Sequence, residues 1–287
     1  LRHILYFFAL FWRALRSDLI FALDYTSVGL PAAVVSLLLR RPLVIRMEGD
    51  FLWESFVQRT RKDITLSQFY RIPQLLTRKE RLVRKISVWV MHRASRLVFS
   101  SEWRRKMICD AYRIPAESST ILRNVFPPPT INNIENSRTI LWAGRMIYLK
   151  NLYHLISVFA EVNDGSWELH LVGDGPERKR LEEFIKKENI RGVRLLSPMS
   201  KENILKKMRE SAFFVLPSLS DVGPDVIADA VATRLPFIMT KESGSVEYLK
   251  DIGFFINPLD EEELKERMMR LMNEDERRKA KERMEHV

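Results

Sequence analysis

Short apolar runs alternate with amphipathic stretches along most of the chain. Asp18–Leu23 (DLIFAL), Leu43–Met47, Leu97–Ser100 (LVFS) and Ser119–Leu122 have strand length and little polar interruption. Pro31–Arg40 reads as a helix with its proline in the first turn, and Glu102–Tyr112 as another opened by Ser101 as N-cap. The alternation restarts near residue 138. Thr139–Ala143, Trp167–Val172, Val193–Leu196, Phe213–Leu216 and Phe237–Met239 are predicted strands. Leu152–Val162, Glu177–Asn189, Lys201–Glu210 and Val226–Thr233 are predicted helices. A last amphipathic helix carries Leu264, Met268, Leu271 and Met272 on one face. Apolar strands separated by helices predict parallel sheets covered on both faces.

Three stretches break this rhythm. Asn124–Asn136 (NVFPPPTINNIEN), rich in Pro and Asn, reads as a linker. The expected organisation is therefore α/β: a Rossmann-like domain over 1–123, a linker over 124–137 and a second Rossmann-like domain over 138–287. Ligands in such folds lie at the C-terminal ends of the strands, here expected in a cleft that the two domains face. Phe51–Glu80 mixes aromatics, prolines and the basic residues Arg59, Arg61, Lys62, Arg71, Arg78 and Lys79. It is expected to be an irregular substrate loop behind a strand end. Ile4–Trp12 is apolar, but its nine residues fall short of the roughly 20 that span a bilayer. Nor does a small-residue cleavage site follow it. Ile4–Leu15 is expected to be a helix, interfacial or, by preference, buried.

Composition narrows the function classes. With 46% hydrophobic and 10% aromatic residues in 287, the chain is not of the disordered class. Cys109 is alone, which excludes an intramolecular disulfide and a Cys-built metal site and fits a reducing compartment. His3, His92, His154, His170 and His286 are scattered without metal-ligand spacing. Charge is uneven: residues 1–123 carry 22 Lys+Arg and 10 Asp+Glu, a net +12, whereas residues 124–287 carry 25 and 27, a net −2. The basic half is expected either to face an anionic partner, such as a phosphorylated substrate or a membrane surface, or to be a solvated surface. No DNA- or RNA-binding motif accompanies the charge, so nucleic acid is not expected as a partner.

Chemistry-bearing residues gather behind predicted strands of the second half. Trp142-Ala143-Gly144-Arg145 leads, five residues on, to Lys150 and then a helix. Gly144 permits a sharp turn, and Arg145 and Lys150 are cations suited to a diphosphate, or else ordinary surface cations. Gly173-Asp174-Gly175-Pro176 is a second strand-to-helix turn, without the third glycine of a dinucleotide fingerprint. Pro217-Ser218 precedes Asp221, Val222, Gly223 and Pro224, then a helix with Asp229 among apolar residues. Asp221 could cap that helix. Asp229 needs a partner: a ribose hydroxyl pair or a neighbouring basic side chain would serve. Behind an earlier strand, Glu48-Gly49-Asp50, followed by Trp53, offers either hydroxyl-binding or turn-forming acids.

The order of these motifs resembles the GT-B glycosyltransferases, specifically the retaining glycosyltransferase family 4 (glycosyl transferases group 1). The Gly-Arg turn with its later Lys is matched by Gly144, Arg145 and Lys150, and the Gly-x-Gly-Pro turn by Gly173–Pro176. Pro-Ser followed by two acids with seven residues between them is matched by Pro217, Ser218, Asp221 and Asp229. Ser243–Leu249 and Arg123-Asn124-Val125 resemble the family's later small-residue turn and its domain junction. The resemblance runs over about residues 18–275 and is more specific in the second half.

It implies a retaining, metal-independent transfer of a hexose-type sugar from a nucleotide sugar (UDP or GDP) to an acceptor hydroxyl on a glycan, a lipid-linked carrier or a small molecule. Arg145, Lys150 and Asp221 would be catalytic, the two cations neutralising the departing diphosphate and Asp221 holding the donor sugar. Gly144, Gly173, Val222, Gly223 and Asp229 would bind the donor, with Asp229 on the ribose. Glu48, Asp50 and Trp53 would serve the acceptor or sugar side. No cofactor is implied. The expected setting is cytoplasmic cell-envelope polysaccharide synthesis, peripheral on the inner membrane face through the basic half. Both acids are Asp where the family usually has Glu, and Glu48-Gly49-Asp50 stands where a His is usual. The sequence starts at Leu, and the first strands, the Gly-rich loop and the closing helix of the family are expected to be missing or truncated. Two alternatives are a degenerate nucleotide-sugar-binding subunit and a GT-B nucleotide-sugar 2-epimerase.

Overall fold

The computed structural model describes residues 2–125 and 137–286, so residues 126–136 of the predicted linker lie outside the described residues. Two compact units divide the chain. The first is Leu1–Thr60 with Leu66–Asn124, the second Arg61–Thr65 with Val125–Val287. The segment Arg61–Thr65, expected in the first domain, thus belongs to the second unit.

The first unit runs α1 (Arg2–Ala14), β1 (Ile20–Ala22), α2 (Gly29–Leu39), β2 (Leu43–Arg46), α3 (Phe51–Thr60), α4 (Leu66–Arg71), α5 (Arg78–Arg93), β3 (Arg96–Phe99), α6 (Glu102–Tyr112) and β4 (Ser119–Ile121). Its sheet is parallel, in the order β1-β2-β3-β4. The inward residues Ile20, Leu43, Ile45, Leu97 and Phe99 pack with Ala33 and Val35 of α2 and Val90 of α5. Ser101 caps α6 as expected, accepting from the amide of Arg104.

Two expectations for this unit are corrected. Phe51–Glu80 is mostly helical. Asp50 accepts from the amide of Trp53 and so starts α3, and Thr77 and Glu80 cap each other to start α5. Helix α1 is buried on one face only. Phe7, Leu10, Phe11 and Ala14 meet the core, whereas Ile4, Leu5, Phe8 and Trp12 are exposed, because the apolar residues run all round a helix that has one packing partner face.

The second unit runs β5 (Thr139–Ala143), α7 (Leu152–Val162), β6 (Glu168–Val172), α8 (Arg178–Lys187), β7 (Val193–Leu196), α9 (Lys201–Arg209), β8 (Phe213–Leu216), α10 (Asp225–Ala232), β9 (Phe237–Thr240), α11 (Val246–Leu249), β10 (Phe254–Ile256), α12 (Glu261–Met272) and α13 (Glu274–Arg283). Its parallel sheet has the order β10-β9-β8-β5-β6-β7. The central strand β8 is buried at all four positions, while the edge strand β7 has none fully buried. Each unit is thus a Rossmann-like parallel sheet carrying helices, as the alternation predicts. Among the described residues no helix is long and apolar enough to cross a membrane.

Candidate functional site

Strand order fixes where the second unit can bind a ligand. β5 lies beside β8, with β6 and β7 to one side and β9 and β10 to the other. The chain leaves β5 and β8 in opposite directions at their carboxyl ends, the topological switch point at which ligands of such folds bind. The loops bearing the predicted cations and acids follow these two strands and their neighbour β6.

The loops after β5 and β6 are built against each other. The amide of Gly144 donates to Val172 (3.0 Å), that of Met146 to Asp174 (2.8 Å), and that of Glu177 back to Met146 (3.0 Å). Gly173 has φ +144°, and a Cβ there would stand 1.9 Å from the carbonyl oxygen of Gly144. Any side chain at 173 therefore separates the two turns. Gly144 and Gly173 are brought together, but as mutual packing partners that give the cradle its shape. Arg145 projects from this double turn, exposed and without an ion-pair partner among the described residues.

The loops after β5 and β8 are tied by the Leu219 amide donating to Leu149 (2.9 Å). That bond sets Lys150 beside Asp221: Nζ to Oδ2 is 2.5 Å, with side-chain exposures of 20% and 14%. Ser218 Oγ donates to the same Oδ2 (3.2 Å), and the Asp221 amide donates to the Glu242 carbonyl behind β9 (2.9 Å). The pair is held from three loops yet stays open to solvent. Val222 and Gly223 follow it, half-exposed, immediately before α10. The amino end of α10, just beyond them, favours negative charge.

Asp229, 5% exposed on α10, pairs with Lys201 at the start of α9 through both carboxylate oxygens. Of the two partners left open above, the structure supplies the basic side chain. Lys201 carries 57% side-chain exposure, so this pair too has an open side.

The acceptor-side residues fare differently. Asp50 is 1% exposed and its oxygens are taken by the Trp53 amide (3.0 Å), Tyr70 Oη (2.7 Å) and Arg104 Nη2 (3.0 Å). Trp53 is 3% exposed. These two are a helix-starting acid and a core side chain, and neither can touch an acceptor. Glu48 remains at the surface, paired with Arg46, whose other arm donates to Asn124. Of the residues predicted for the second unit, the structure brings Lys150 and Asp221 together. In the first unit a capping, ion-paired Asp had been taken for a binding residue.

Three groups were missed. Arg104, fully buried, is the partner of Asp50. Lys201 was read only as a helix residue. Arg61 grips both oxygens of Glu177 (2.8 and 2.7 Å), lies over the Tyr148 ring at 4.4 Å, and holds the carboxyl of Glu177 below the usual carboxylate range. Only Arg61 carried a signal, as a cation in the stretch after β2. No group of three His, Cys, Asp or Glu with metal-holding geometry occurs among the described residues.

Comparison with known proteins agrees with the second unit. A family model described as glycosyl transferases group 1 matches residues 128–285. The amylovoran biosynthesis glycosyltransferase AmsD of Erwinia amylovora is 26% identical over 185 residues, covering 61% of this chain and 52% of that protein. An uncharacterized glycosyltransferase of Methanocaldococcus jannaschii is 29% identical over 142 residues, covering 49% and 40%. The chain thus spans about half the length of these curated relatives. The crystal structure of Anabaena HepE in complex with UDP and glucose superposes with a TM-score of 0.73 at 18% identity over 98% of this chain and 75% of that one, a likeness of fold. With more than half of its residues matched, the chain belongs to the glycosyl transferases group 1 family.

Proposed function

We propose that the second unit is the donor site of a retaining family 4 glycosyltransferase that moves a hexose-type sugar from a UDP- or GDP-sugar to an acceptor hydroxyl. The observation that carries this reading is the half-open Lys150–Asp221 pair at the β5/β8 switch point, with exposed Arg145 in the same loop after β5 as Lys150. As the glycosidic bond breaks, negative charge builds on the diphosphate. Arg145 and Lys150 would stabilise it, a task worth several kcal/mol for one well-placed donor, roughly 3. In this reading the two cations do the work a metal ion would do, and the reaction is metal-independent. Asp221, released from Lys150 by the diphosphate, would accept from donor-sugar hydroxyls, with the backbone of Val222 and Gly223 alongside. Asp229 would hold the ribose.

The acceptor, a glycan, lipid-linked carrier or small molecule, belongs in this reading to the basic first half. A cytoplasmic setting at the inner membrane face, in cell-envelope polysaccharide synthesis, completes it, and a relative named for amylovoran biosynthesis supports it. One observation favours the binding-subunit alternative: both aspartates are already engaged by lysines. Donor turnover separates the readings. The chain is incubated with UDP- and GDP-hexoses, and released nucleotide and product anomer are read by NMR. Release with retained configuration supports the proposal and inversion contradicts it. A C2-epimerised sugar points to the epimerase, and nucleotide binding without turnover to the binding subunit.

A further inference from the structure

Asp229 and Lys201 are each badly placed alone. A carboxylate 5% exposed in a helix whose neighbours Ile227, Ala230 and Val231 are buried loses hydration. A lysine at the first position of α9 sits at the positive end of that helix dipole. Together they offset each other, and they leave a carboxylate and an ammonium side by side, behind β8 and β7. Their exposures differ: Asp229 is sunk, whereas more than half of Lys201 faces solvent.

That combination has a specific chemical complement. A hydroxyl donates one hydrogen bond and accepts others; a carboxylate only accepts, an ammonium only donates. A vicinal diol can therefore donate to Asp229 while one of its oxygens accepts from Lys201, without breaking the ion pair. Asp229 is one methylene shorter than a Glu, so it reaches less far from α10, and Lys201 extends the polar surface outward from it.

We propose that Lys201 is a ribose-recognition residue that reads the ribose 2′,3′-diol jointly with Asp229. This rests on the donor-site reading above. The test is calorimetric binding of UDP, GDP and ADP, each against its 2′,3′-dideoxy analogue. The wild-type chain should prefer the ribonucleotide, and Lys201→Met should cut that preference by about tenfold, as expected for one charge-assisted hydrogen bond. Affinity for the dideoxy analogue should move less than twofold. Because Lys201→Met leaves a buried carboxylate unpaired, the ratio is also read in Lys201→Met/Asp229→Asn, where it should fall close to one. A ratio unchanged in both variants overturns the proposal, as does an equal loss for both ligands, which would make the pair structural. Failure of the wild-type chain to bind any nucleotide overturns the donor-site reading itself and this inference with it.

Discussion

Each unit of this protein sets an aspartate–cation pair just beyond the carboxyl end of a strand. In the first, Asp50 and Arg104 are both 0% exposed at the side chain; in the second, Asp221 and Lys150 are 14% and 20% exposed. Asp50 is fully engaged, starting a helix, binding Tyr70 and binding Arg104. Asp221 is bonded by Lys150 and Ser218 from one side and keeps an open face. Similar residues at similar sequence positions therefore do different work. A sealed pair holds a fold together and is costly to break, because either charge left alone is buried. A half-open pair at a switch point can exchange its partner for a ligand.

The sharpest test of the contrast is on the sealed pair. Arg104→Met should destabilise the chain by about 3–5 kcal/mol, read by urea unfolding, with the loss confined to the first unit. Lys150→Ala should do the reverse: stability within about 1 kcal/mol of wild type, but donor turnover down by about a hundredfold or more. Matching stability losses for the two variants would erase the distinction. Gly173→Ala lies between. It forces the two interlocked turns apart and should cost more than about 1 kcal/mol while also weakening nucleotide binding.

The smallest effect concerns Glu177 and Arg61. Their bond holds the Glu177 carboxyl below its ordinary 4.5, so the stabilisation is complete above pH 4.5 and fades as pH falls through the lowered value. Glu177→Gln should cost about 1 kcal/mol at neutral pH, discounted because Arg61 is partly exposed, and the gap to wild type should close in acid. Thermal melts from pH 7 to pH 3 check it.

Periodicity made the fold legible where elements bury one side or both. Thr139–Ala143, Phe213–Leu216 and Glu102–Tyr112 follow the expected bounds because apolar runs and a serine cap act locally. Phe51–Glu80 was misread although Thr77-Arg78-Lys79-Glu80 has the spacing of a capping box; its basic residues hid the helical pattern. The turns after β5 and β6 were legible because Gly144 and Gly173 are required by a close backbone contact. The partners of acids were not. Nothing near Asp50 in sequence announces Arg104, 54 residues away, and nothing near Asp229 announces Lys201, 28 residues away. Long-range ion pairs are chosen by tertiary packing, so the sequence around Asp50 does not distinguish a sealed acid from a ligand-binding one.

On the proposed reading, the Lys150–Asp221 site binds a nucleoside diphosphate. Calorimetry of UDP, GDP and ADP with the wild-type chain and with Lys150→Ala tests it directly. Saturable binding of one nucleotide by the wild type is expected, weakened at least tenfold in Lys150→Ala, as loss of a charge-assisted contact requires. Equal affinity in the two proteins, or no binding of any nucleotide by a folded wild type, would contradict it.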